Sequence, residues 1–97
     1  MSGKLPSELT ALTTLRVVDF NFNDEIGGNI PPDIGKLSLL SRLALLDNVL
    51  TGPIPESICT LSFLESLHLG HNDLMGNIPP CIGNLRELEV LSVRQNE

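Results

Sequence analysis

The chain has 97 residues, of which 41% are hydrophobic, and its mean hydropathy is slightly positive, so it has the apolar material for a packed core and is not of disordered composition. Aromatics make up only 3%, with no Trp or Tyr, so that core must be built from Leu, Ile and Val. Twelve acidic residues against six basic ones, the latter dispersed, give a net charge of −6, which argues against nucleic acid as a partner. No apolar run approaches the ~20 residues of a membrane span, and the opening segment Met1-Ser2-Gly3-Lys4 lacks the apolar stretch of a signal peptide.

In chain order, the sequence resolves into copies of one pattern. Residues 1–11 fit the second half of a repeat, and residues 12–36 form a copy of 25 residues with one extra residue within Asp24-Glu25. Residues 37–60 and 61–84 then align without a gap over 24 residues each, and 85–97 fit the first half of a further copy. Leu37, Leu40, Leu43, Leu45, Asn48, Leu50, Gly52, Ile54, Pro55 and Ile58 recur as Leu61, Leu64, Leu67, Leu69, Asn72, Leu74, Gly76, Ile78, Pro79 and Ile82. The chain is expected to be one array and, since it starts and stops mid-repeat, to derive from a longer one.

Within each copy, Leu-x-x-Leu-x-Leu-x-x-Asn alternates with period two at its centre. This predicts short strands near Val17 to Phe20, Arg42 to Leu45, Ser66 to Leu69 and Val90 to Val93, stacked in parallel. Asn23, Asn48, Asn72 and Asn96 follow the strands; a carboxamide both donates and accepts, so these residues are expected to satisfy turn backbone rather than meet a ligand. Next, Gly28, Gly52 and Gly76 allow a tight turn before the extended Ile30-Pro31, Ile54-Pro55 and Ile78-Pro79. Ile34, Ile58 and Ile82 are expected to anchor short helical or 3₁₀ turns on the convex side, with Gly35 and Gly83 helping those turns to end.

The motif N-x-L-x-G-x-I-P, present as NVLTGPIP and NDLMGNIP, resembles the plant-type leucine-rich repeat of receptor-like kinases, receptor-like proteins and polygalacturonase-inhibiting proteins. The resemblance covers essentially the whole chain. It implies an α/β repeat solenoid, a right-handed coil with a parallel β-sheet on the concave face and short 3₁₀ or helical turns on the convex face. It also implies an extracellular or cell-surface parent protein that binds a protein or peptide in receptor or defence signalling. Inhibition of a cell-wall-degrading enzyme, or a purely structural spacer in a long ectodomain, stand as alternatives.

If the strands stack, the side chains flanking the inward slots form outward rows on the concave face. These are Val17, Arg42, Ser66 and Val90; Asp19, Ala44, His68 and Ser92; then Asn21, Leu46 and Arg94; and Phe22, Asp47, His71 and Gln95. They vary where the inward slots repeat, which suits recognition. Phe22 and Leu46 are the expected apolar contacts, with Asp19, Arg42, Asp47 and Arg94 the polar ones.

No catalytic motif or phosphate loop accompanies these residues, so no enzyme activity and no cofactor are expected. His68 and His71 with Asp47 do not have the spacing of a metal site, and no further His exists. Cys59 and Cys81 lie on neighbouring coils, out of register by two slots in the 24-residue alignment. Free thiols are the default expectation and a disulfide the alternative. There is no N-x-Ser/Thr glycosylation sequon. Leu-rich faces at both ends of the array also suggest self-association.

Overall fold

The computed structural model describes residues 3–4, 11–20, 26–93 and 96. Strands β2 (Val17–Asp19), β4 (Arg42–Ala44), β6 (Ser66–His68) and β8 (Val90–Ser92) form a parallel sheet in the order β2-β4-β6-β8. Val18, Leu43, Leu67 and Leu91 lie side by side in its register. Each strand stops one residue short of its expected end. The pairing nevertheless continues by one rung, because Phe20, Leu45 and Leu69 N–H groups donate to the carbonyls of Ala44, His68 and Ser92.

A second parallel sheet was not expected. It consists of β1 (Gly3–Lys4), β3 (Ile26–Asn29), β5 (Val49–Pro53) and β7 (Asp73–Met75), in the order β1-β3-β5-β7. Its sequence signal is weak because glycine and proline, both depleted in strands, interrupt it, and Gly28, Gly52 and Gly76 sit at φ 75°, 76° and 77°. Its register also differs from that of the first sheet. Thr51 pairs with Asp73 and Gly52 with Leu74, 22 residues apart, whereas Leu43 pairs with Leu67 at the full 24-residue repeat. Successive coils are therefore staggered by two residues on this side.

The return path of each coil is a 3₁₀ turn: Pro32–Lys36, Glu56–Thr60 and Pro80–Asn84. The expected anchors Ile34, Ile58 and Ile82 are the buried residues of these turns. Gly35 and Gly83, expected to end the turns, lie inside them instead. The turns close at Leu37, Leu61 and Leu85, whose N–H groups bond back to the carbonyls of Ile34, Ile58 and Ile82. At Gly35 the reason for glycine is close approach, since a Cβ there would stand 2.8 Å from the carbonyl oxygen of Ser57 on the next coil.

Leu37, Leu40, Leu43, Leu45 and Leu50 meet Leu61, Leu64, Leu67 and Leu69 in one continuous core, all fully buried. Burial of each such side chain contributes about 1.5–3 kcal/mol relative to exposure, and this favours stacking of one coil on the next. Among the described residues, no helix is long and apolar enough to cross a membrane.

Candidate partner-binding face

The first sheet positions the outward rows as the alternation requires. Val17, Arg42, Ser66 and Val90 are adjacent in register, as are Asp19, Ala44, His68 and Ser92. Val17 and Val90 are exposed, whereas Arg42, Ser66, His68 and Ser92 are half-buried. Ala44 is a correction: it is fully buried. Its single methyl group lies between the larger Asp19 and His68 in register, so it offers a partner no accessible surface.

Across three coils, Arg42 joins two other members of these rows. Its Nε lies 3.6 Å from Asp19 Oδ2, and its Nη1 lies 3.4 Å from His68 Nε2. A guanidinium only donates, so His68 Nε2 is the acceptor in this arrangement. The Asp19 and Arg42 side chains are 46% and 38% exposed, and an ion pair in that setting is worth about 0–1 kcal/mol. The Asp19–Arg42–His68 strip is thus too weak to be explained by the stability of the fold. It does hold the guanidinium at a defined place on the surface.

Beyond the strands, His71 Nδ1 lies 3.9 Å from Asp47 Oδ1. Both residues occupy left-handed backbone, at φ 57° for Asp47 and 55° for His71, a conformation that costs an L-residue about 1–2 kcal/mol. Each immediately precedes a ladder asparagine, whose side chain turns back onto the strand just completed. Leu46 is half-buried. The other predicted members of the face, Asn21, Phe22, Arg94 and Gln95, lie outside the described residues.

The asparagines form the expected ladder. Asn72 Nδ2 donates to the carbonyls of Leu45, Leu69 and Gly70, and its Oδ1 accepts from Leu50 N–H at 3.0 Å. Asn96 repeats the pattern with Leu69, Val93 and Leu74. Asn48 donates to Phe20, Leu45 and Leu46, but its buried Oδ1 has no partner among the described residues. The preceding coil carries the one-residue insertion before Ile26, which changes the spacing of the amide that would serve it.

The two cysteines are also a correction. Cys59 and Cys81 are joined by a disulfide, with Cα atoms 5.7 Å apart. Their separation of 22 residues is the stagger of the second sheet, so the apparent two-slot mismatch is the true register on this side. The preceding pair of coils shows the same relation: a Cβ on Gly35 would lie 3.0 Å from the Cβ of Ser57. No three His, Cys, Asp or Glu side chains converge on a possible metal position among the described residues. An apolar hollow of about 290 Å³, bordered by Ile54, Leu74, Val93 and Asn96, includes no member of the two outward rows.

The Leucine Rich Repeat family pattern matches residues 63–85. Over 100% of its length the chain is 36% identical to the plant peptide hormone receptor RGFR1 in complex with RGF2, with a TM-score of 0.96. It is 35% identical over 99% of its length to the ectodomain of the Arabidopsis receptor kinase HAESA, solved with an N-terminally extended IDA peptide hormone ligand, with a TM-score of 0.93. The chain is a plant-type leucine-rich-repeat array.

The repeats account for the whole likeness, because the chain spans 15% of the first of those proteins and 16% of the second. A plant ice-binding protein shares the same architecture, at 33% identity and a TM-score of 0.94 over 99% of this chain and 31% of that one. The scaffold therefore does not by itself specify a ligand.

Proposed function

We propose that this leucine-rich-repeat array is a recognition segment that binds a peptide or protein on the sheet carrying Val17, Asp19, Arg42, Ser66, His68, Val90 and Ser92. The Asp19–Arg42–His68 strip carries the reading: it spans three coils and adds little to stability, yet presents an oriented guanidinium between exposed valines. The peptide hormones in the receptors reported above agree with this reading. A partner segment lying across the coils would meet apolar ground at Val17 and Val90 and a donor-rich centre at Arg42.

The parent protein, on the same reading, belongs to receptor-like or defence signalling and works outside the cell. The Cys59–Cys81 bridge supports that location, since disulfides persist in oxidising compartments. Peptides selected from a display library on the immobilised protein provide the test. Arg42→Ala together with His68→Ala should weaken the selected peptides about 10- to 100-fold with the circular dichroism spectrum intact, as expected for a central contact. Asp33→Ala, on a convex turn, should leave binding unchanged. The reverse pattern would place the site elsewhere.

A further inference from the structure

The convex turns are held together differently at their two described levels. Between Pro32–Lys36 and Glu56–Thr60 the links are hydrogen bonds: Ser57 Oγ donates to Pro32 O at 2.6 Å, and Thr60 Oγ1 to Gly35 O at 3.5 Å. Between Glu56–Thr60 and Pro80–Asn84 the link is Cys59–Cys81. There Cys59 occupies the slot of Gly35, and Cys81 the slot of Ser57. The first level stacks without a covalent bond, so the bridge is not required to stack the second.

Access and charge are also present. A surface hollow of about 310 Å³ reaches Cys59 and is bordered by Ser62, Asn84, Leu85, Arg86 and Glu87, but not by Cys81. Both cysteines are half-buried, and Arg86 and Glu87 are exposed. An adjacent guanidinium and carboxylate complement a small molecule that carries both a carboxylate and an ammonium group.

We propose that Cys59–Cys81 is a reversible thiol-exchange site whose attacking partner is a small zwitterionic peptide thiol held in the hollow by Arg86 and Glu87. The thiolate of that molecule bonds to Cys59 Sγ, the sulfur–sulfur bond breaks, and Cys81 leaves as a thiolate that takes a proton from water. A second thiolate then attacks the external sulfur of the mixed disulfide and releases Cys59 as a thiolate. The protein is reduced by two electrons, and two peptide thiols are oxidised to their disulfide. The new Cys81 S–H faces Glu56 O, 4.0 Å from its sulfur, in the position where Ser57 bonds Pro32 at the level before. Reduction is thereby expected to leave the coil stacked.

The test treats the full chain with reduced glutathione under native conditions, quenches with acid, alkylates free thiols and maps both cysteines by peptide mass. Glutathione is expected on Cys59 and the alkyl group on Cys81, with the circular dichroism spectrum retained. Arg86→Ala with Glu87→Ala should slow glutathione at least about threefold at low ionic strength and leave uncharged 2-mercaptoethanol unchanged. Glutathione on Cys81, opening only under conditions that unfold the chain, or equal slowing of both thiols would each overturn the proposal.

Discussion

Replacing Asn72 with Ala removes four hydrogen bonds from the buried side of the turn, but the loss is uneven. The carbonyl of Leu45 keeps a bond from Asn48 Nδ2, that of Leu69 keeps one from Asn96 Nδ2, and that of Gly70 keeps the N–H of Asp47. Leu50 N–H, which Asn72 Oδ1 serves within the core, has no replacement on these contacts. An orphaned buried donor costs about 1–3 kcal/mol, and the weakened carbonyls add about 1 kcal/mol, so Asn72→Ala should cost about 2–4 kcal/mol. Asn72→Asp should cost more at neutral pH, because it sets a carboxylate against three carbonyl oxygens while keeping nearly the same shape. That excess should shrink in acid, where a protonated carboxyl can donate: the folded state raises the pKa of the introduced group, so stability is lost as pH rises. Urea unfolding followed by far-UV circular dichroism measures all three proteins. Asn72→Ala within 0.5 kcal/mol of wild type (~ the scatter of a surface substitution), or Asn72→Asp better tolerated than Ala at pH ~7, would refute the reasoning.

Three further outcomes follow from the packing. Leu67→Ala, at a fully buried slot between Leu43 and Leu91, should cost about 2–5 kcal/mol in the same unfolding assay. Gly35→Ala should destabilise by about 1–3 kcal/mol because the new Cβ meets the Ser57 carbonyl, while Gly83→Ala, with nothing within 4 Å, should be neutral or stabilising. His71→Gly should raise stability by about 0.5–1 kcal/mol by relieving left-handed backbone, an effect read as a shift in the urea midpoint at constant slope.

The leucine slots, the first sheet and the asparagine ladder were legible because the same residue types recur at a fixed interval, and identical layers must stack in register. The second sheet was not, since β5 and β7 are short and pass through Gly52, Pro53 and Gly76, which break the usual strand signal. The disulfide was misjudged for a related reason. Alignment by sequence imposes a 24-residue register everywhere, whereas coils that lean on one another pair at 22 residues on the side of Cys59 and Cys81. Alternation placed Arg42 and His68 on the outward rows but could not bring them together, because that contact depends on side-chain reach between coils. Nor could it reveal that Ala44 is enclosed by its row neighbours.

The claim that the outward face of the first sheet is the recognition surface is tested most directly by a hydrogen-exchange footprint of a selected peptide bound to the protein. Slowed exchange confined to residues 16–20, 42–47, 66–71 and 90–93 is the predicted result. Slowing confined to the second sheet at Val49–Pro53 and Asp73–Met75, or to the convex turn Glu56–Thr60, would contradict it.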